Sequence, residues 1–186
     1  VILDQHVYGS VSRISPEAPV PVVTQEGAPL FSPGGAANVA NNLRSLGAKV
    51  ALAGRIGSDS EGRLFLAGLK KYHIPTRLVF MDKRIPTIVK TRIMAQHQQV
   101  LRLDREKADC PDDGRILARI RKFLQANIQR FDGIIISDYG KGLVTQDLIK
   151  EVCSLAFAHK KIITVDPKVE HFAYYRGVTS ITPNKK

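Results

Sequence analysis

Along this chain the spacing of apolar residues changes period several times, and each change marks a predicted element. Residues 1–32 read as mostly extended, with Val1-Ile2-Leu3-Asp4 as the end of a buried strand. Pro19-Val20-Pro21-Val22-Val23 alternates, and its prolines confine it to an edge strand or an isolated ribbon. Val39, Leu43 and Leu46 then recur at helical spacing, which predicts a helix over 36–46 with Gly47 as its stop. A strand is expected over 49–53 and a loop over 54–59, where Ser58 or Asp59 can cap the next helix. That helix spans 61–72 and turns Leu64, Phe65, Leu69 and Tyr72 inward. Extended segments follow at 76–80, 87–94 and 100–104, and Asp112 or Asp113 caps a helix running to about residue 129. The last third is a βαβ pattern. Residues 133–137 form a continuous apolar run of the parallel, buried kind. A helix over 145–158 buries Leu148, Val152, Leu155 and Ala156, and strands cover 162–165 and 180–182. The sum is an α/β layered fold with a mostly parallel sheet and right-handed crossovers, plus a small β appendage near 7–32 and 87–104.

The chemistry-bearing residues cluster at the joints of these elements. Gly34-Gly35 precedes the first helix, and Asn38 lies in its first turn. Glycine lets backbone approach a ligand closely, the helix start presents unpaired N–H groups, and an amide serves hydroxyls as donor or acceptor. The spacing is neither that of a dinucleotide fingerprint nor that of a P-loop, and a tight turn feeding a packed helix explains it equally well. Three strands end in polar signatures: Ser137-Asp138-Tyr139-Gly140-Lys141-Gly142, Asp166-Pro167-Lys168 and Thr182-Pro183-Asn184. In open parallel sheets ligands bind at the carboxyl ends of strands. Lysines there can hold phosphates while carboxylates orient a hydroxyl or a hydrated metal; structural ion pairs are the plainer alternative. Asp4 ends the first strand and can bond sugar hydroxyls or form a turn. Arg102 and Arg105 can reach a phosphate or line a solvated edge.

Composition narrows the classes. At 186 residues with 44% hydrophobic and 24% charged content, the chain suits one core with a small appendage. No apolar run approaches the ~20 residues of a membrane span, and residues 1–4 have no signal-peptide character. Cys110 and Cys153 are too few for a disulfide framework, so a reducing cytoplasm is expected. The five histidines lack ligand spacing, so no metal centre of the His/Cys type is assigned. The net charge of +11 favours a phosphorylated ligand over a nucleic acid, because the basic residues are dispersed and aromatics are only 6%.

Together these segments resemble the ribokinase-like (PfkB) family of carbohydrate kinases along essentially the whole chain. The likeness rests on Gly34-Gly35-Ala36-Ala37-Asn38 and on Gly54-Arg55-Ile56-Gly57-Ser58-Asp59 followed by Gly62. It rests equally on the three strand-end signatures. The stretch from Ser12-Arg13-Ile14-Ser15-Pro16 to Val23 and the string Gln98-Gln99-Val100-Leu101-Arg102-Leu103-Asp104 resemble one branch. That branch is the D-glycero-β-D-manno-heptose 7-phosphate kinases, often fused to an adenylyltransferase.

The resemblance implies a ribokinase-like layered fold with a mostly parallel central sheet and a small β lid, forming one partial kinase domain over 1–186. It implies transfer of the ATP γ-phosphoryl group, with Mg²⁺, to the anomeric hydroxyl of the heptose phosphate, a step toward the lipopolysaccharide core. Asp4, Gly34, Gly35 and Asn38 would bind sugar hydroxyls, with Arg13, Lys90, Arg92 and Arg102 candidates for the sugar phosphate. Asp138 and Lys141 would line the transfer site, and Asp166, Lys168 and Asn184 would approach ATP and its magnesium. The lid would pair two subunits into a homodimer. The family's N-x-x-E motif starts at Asn184, but its Glu and the later Gly-Ala-Gly-Asp loop are expected beyond Lys186, and a Gly-Asp is expected before Val1. The 186-residue polypeptide is therefore expected not to turn over by itself. A ribokinase or fructokinase of the same family is the first alternative, and a non-catalytic phospho-ligand module the second.

Overall fold

The computed structural model describes residues 1–107 and 114–184. They form two compact units: residues 1–52 with 56–107, and residues 53–55 with 108–186.

The first unit is built on a five-stranded mixed sheet. Its long strand β1 (Ile2–Ile14) pairs antiparallel with β2 (Pro21–Gln25) at one end and with β3 (Leu30–Gly34) at the other. Pro21 opens β2 at the sheet edge, where the missing N–H leaves no ladder bond unmade. Helix α1 (Ala36–Ser45) follows β3 directly. Its buried positions are Ala37 and Ala40, not the expected stripe of Val39, Leu43 and Leu46; Leu46 is 84% exposed. Alanines let the helix lie close to its neighbours, and Leu46 falls past the last helical residue. Residues 49–53 form no strand. The ladder begins later, at β4 (Gly54–Gly57), within the segment expected to be a loop; β4 pairs with β5 (Val79–Asp82).

Helix α2 (Ser60–Lys71) buries Phe65 and Leu69 as expected but leaves Leu64 exposed. Strands β6 (Ile88–Ala95) and β7 (Gln98–Arg105) complete the five-stranded sheet, β6 lying parallel to β1 and antiparallel to β7. Leu3, Ala37, Ala40, Leu52, Phe65 and Val89 belong to the core of this unit.

In the second unit α3 (Arg115–Asn127) leads through a short 3₁₀ turn to β8 (Gly133–Ser137). The expected caps Asp112 and Asp113 lie outside the described residues. Strand β8 is followed by α4 (Gln146–Ala158), β9 (Ile162–Asp166), a 3₁₀ helix (Val169–Tyr174) and β10 (Ser180–Ile181). Thr145 caps α4 by accepting from the Leu148 N–H. The three strands are all parallel, in the order β10-β9-β8, and Leu148, Ile149, Val152 and Val165 pack the core. Ile135 is 46% exposed, so β8 is less enclosed than its apolar run suggests. Among the described residues no helix is long and apolar enough to cross a membrane.

Candidate functional site

Strand alternation sorts the first unit's sheet into two faces. Asp4, Lys90 and Asp104 form one cross-strand row, and His6, Arg92 and Arg102 form the row two residues along. They share a face, and ion pairs knit it: Arg92 to Asp4 at 2.6 Å, Lys90 to Asp104 at 3.2 Å and Arg102 to Asp104 at 3.0 Å. Three basic and two acidic groups leave this patch with an excess of positive charge. Burial pushes the Asp104 carboxyl up, but the Lys90 hydrogen bond and the charges of Lys90 and Arg102 outweigh it and hold the group below its ordinary range. Asp104 therefore stays ionised and orients two of the cations. Sequence reading assigned it no role; the signal lay in the β7 alternation, which puts residues 102 and 104 on one side.

Gly34 pairs with Ile2 at the end of β3. A Cβ there would stand 2.8 Å from Asp4 Cγ and closer still to Oδ2, so glycine is what lets the carboxylate occupy its place. Gly35 caps α1 with φ 56° and ψ −131°, and Asn38 lies exposed in the first helical turn. The structure thus gathers Asp4, Lys90, Arg92 and Arg102 on one sheet face, with Gly34 against Asp4 and Asn38 in the helix that follows. Arg13 stands apart. It is exposed opposite Val22, nine residues beyond Asp4, or roughly 30 Å along β1. Within one chain it does not join the Arg92–Arg102 patch.

The turn after β4 is held by Asp59. Its carboxylate accepts from the Gly62 N–H at 2.8 Å, the Thr87 N–H at 2.8 Å and the Thr87 hydroxyl at 2.6 Å, while Thr87 Oγ1 accepts from the Gly57 N–H at 2.9 Å. Burial raises the Asp59 carboxyl, but the Thr87 and Gly62 hydrogen bonds and the Arg105 charge hold it below its ordinary value. Of the two candidate caps it is thus Asp59 that closes α2. Arg105 pairs with Asp59 and Glu61 at 3.3 and 2.9 Å and so braces this turn.

In the second unit the strand ends of β8 and β9 carry the remaining candidates. Asp138, expected to line the transfer site, follows directly on β8 and is held by several partners. Its side chain is 1% exposed, Oδ1 accepts from the Gly140 N–H at 2.8 Å, and Oδ2 contacts His171 Nδ1 at 2.7 Å and accepts from the Tyr175 hydroxyl at 2.8 Å. A carboxylate so committed organises its surroundings. Lys141 is half-buried and Asn184 exposed. Asp166 is half-buried, with one oxygen 3.5 Å from the Tyr139 hydroxyl. Lys168 keeps 43% of its side chain exposed and pairs with Glu170 at 3.1 Å.

These residues fit a nucleotide bound with magnesium. Mg²⁺ is usually held by one or two carboxylates with phosphates and water, and the half-buried Asp166 would offer such a carboxylate. Among the described residues no group of three His, Cys, Asp or Glu side chains forms an all-protein cage. His171 and Tyr175 were missed by sequence reading, since neither belongs to a strand-end signature.

Comparison with known proteins agrees with this architecture. The model for pfkB family carbohydrate kinases matches residues 6–186. The bifunctional protein HldE of Helicobacter pylori strain P12 is 45% identical over 187 residues, covering 100% of this chain and 40% of that protein. Its counterpart in Desulfatibacillum aliphaticivorans is 41% identical over 186 residues, covering 100% and 38%. The chain therefore spans about two-fifths of the length of these curated relatives. Among solved structures, the tetrameric inhibited form of Escherichia coli phosphofructokinase-2 superposes with a TM-score of 0.64 at 18% identity, over 97% of this chain and 57% of that one. A carbohydrate kinase from Agrobacterium tumefaciens gives 0.68 at 17% identity, over 96% and 56%. At such identities the structures speak for the fold, which is the expected ribokinase-like α/β fold. The family match over nearly the full length carries the rest: the chain belongs to the pfkB family of carbohydrate kinases.

Proposed function

We propose that the protein containing this chain is an ATP-dependent kinase acting on the anomeric hydroxyl of D-glycero-β-D-manno-heptose 7-phosphate, on the route to ADP-heptose and the lipopolysaccharide core. The observation that carries the reading is the face bearing Lys90, Arg92 and Arg102 beside Asp4 and Gly34. A neutral sugar needs hydroxyl partners; a sugar phosphate also needs cations, and two guanidinium groups on adjacent strands suit a phosphate dianion. Asp4 and Asn38 take sugar hydroxyls, Gly34 serves the sugar by making room for the Asp4 carboxylate, and Gly35 admits the sugar close to the backbone. Asp166, Lys168 and Asn184 serve the nucleotide, with Lys141 beside it. Bound magnesium would neutralise phosphate charge; phosphoryl transfer asks the protein mainly for positioning and electrostatic stabilisation.

The remaining assignments belong to the same proposal. Relatives are named bifunctional, which supports a fused adenylyltransferase in the parent protein. The sheet face opposite Asp4 carries Leu103 and Phe31 in one row and Leu101 in the next, 61%, 41% and 54% exposed. That apolar strip supports pairing of two lids in a homodimer. The site of action is the cytoplasm, where ATP is available.

The test is ADP release by the complete gene product given ATP, Mg²⁺ and heptose 7-phosphate, fructose 6-phosphate, fructose or ribose. Selective turnover of the heptose phosphate is expected. Preference for a neutral sugar would overturn the substrate, and no turnover with any of them would favour a binding module.

A further inference from the structure

Tyr175 lies nine residues past the end of β9 and belongs to none of the strand-end signatures, yet it is 3% exposed. Its hydroxyl accepts from the Lys168 N–H at 2.9 Å and donates to Asp138 Oδ2 at 2.8 Å. Pro167 has no N–H, so Lys168 supplies the first backbone donor after the strand. The Asp138 N–H meanwhile bonds the Asp166 carbonyl at 2.9 Å, clipping the two strand ends together. The Lys168 carbonyl accepts from the His171 N–H at 3.0 Å, and the His171 ring contacts the same Asp138 oxygen at 2.7 Å while stacking on Tyr174 at 4.7 Å. The Lys168 side chain is guided as well. Its methylenes run over Gly140, where a Cβ would come within 3.3 Å of Cε, and Gly140 has φ +63°. Burial, and then the hydrogen bond to Asp138, raise the Tyr175 phenol well above its ordinary range, so it stays a protonated donor.

We propose that Asp138 and Tyr175 are positioning residues that seat Lys168, with Gly140 as the floor beneath its side chain. Asp138 thereby serves the reaction through Lys168 and not by touching a substrate. The inference rests on the reading of Lys168 as a nucleotide-binding residue. Removal of the Tyr175 hydroxyl keeps the ring that fills the core but frees the Lys168 amide, so the lysine is presented less often in its working position.

The test is steady-state kinetics of the complete gene product with Tyr175→Phe, Lys168→Ala and the double variant, alongside thermal melts. Tyr175→Phe should raise KM for ATP about five- to tenfold, the size of one lost hydrogen bond, with KM for the sugar phosphate unchanged. Lys168→Ala should raise KM for ATP at least as much, and the double variant should be no worse than Lys168→Ala alone. A rise with Lys168→Ala but none with Tyr175→Phe overturns the inference and leaves the nucleotide reading standing. Losses that multiply in the double variant also overturn it, because Tyr175 would then act independently of Lys168. An unchanged KM for ATP in Lys168→Ala overturns the nucleotide reading and the inference with it. Should Tyr175→Phe melt below the assay temperature, Gly140→Ala replaces it, with the same selective rise expected and an unchanged KM overturning the seat.

Discussion

Gly34→Ala tests whether the sugar-side carboxylate is placed by the absence of a side chain. Gly34 is not among the glycines with positive φ, so alanine can adopt its backbone conformation. What is missing is space: the three atoms nearest to an added Cβ all belong to the Asp4 carboxylate. That carboxylate is held by Arg92 at 2.6 Å and cannot swing away freely. Overpacking of this kind costs about 1–3 kcal/mol, part of it from pushing Asp4 off its rotamer. In an Asp4→Ala background the obstacle is gone, and Gly34→Ala should become neutral or stabilise by about 0.4–1 kcal/mol through the unfolded chain. Asp4→Ala leaves Arg92 unpaired in both arms, so that penalty cancels from the cycle. The coupling is therefore about 1–4 kcal/mol. Urea denaturation of the four proteins measures it. Equal costs of Gly34→Ala in the two backgrounds, within about 0.5 kcal/mol, would refute the steric account. The single variant should also lower kcat/KM for the sugar about 10–100-fold, as expected when a charge-assisted hydrogen bond is displaced.

Three further outcomes follow from the geometry. Arg102→Ala should reduce kcat/KM for a phosphorylated sugar about 10–100-fold while changing that for an unphosphorylated sugar little, and equal losses on both would remove Arg102 from phosphate recognition. Asp59→Ala should destabilise by about 2–4 kcal/mol at pH 7, since it removes a helix cap and strands the buried Thr87 hydroxyl. Because the folded-state Asp59 is held below its ordinary value, its contribution is present above about pH 4 and lost as pH falls through the folded-state value. The stability gap between wild type and Asp59→Ala should narrow there, and a gap constant to pH 3 would contradict the assignment. Charging the exposed apolar strip with Leu101→Asp and Leu103→Asp should convert a dimer to monomers in sedimentation runs; an unchanged mass would place the interface elsewhere.

Local patterning made much of the fold legible. The βαβ rhythm of the last third depends on neighbours within a few residues and was read correctly; of the alternatives left open, the structure chose Asp59 over Ser58 as the cap and an edge strand over an isolated ribbon near Pro21. The face of α1 was not. Its expected leucine stripe lost to Ala37 and Ala40, because close packing against the sheet favours small side chains and only the assembled core reveals it. Strand β4 was misread for a related reason: Gly54-Arg55-Ile56-Gly57 has loop chemistry, and pairing with β5 makes it a strand.

The sequence by itself determined which chemistry is present: the glycine pair, the basic residues of the lid strands, the Asp-Pro-Lys and Asp-Tyr-Gly-Lys signatures. Only the tertiary structure decided how each group is used. It surrounded Asp138 with Gly140, His171 and Tyr175, the last of them 37 positions away. It gave Asp104 its place between Lys90 and Arg102, and separated Arg13 from the patch. The physical reason is that a carboxylate's role is set by its partners and exposure, and these come from residues remote along the chain that meet only when strands are laid side by side.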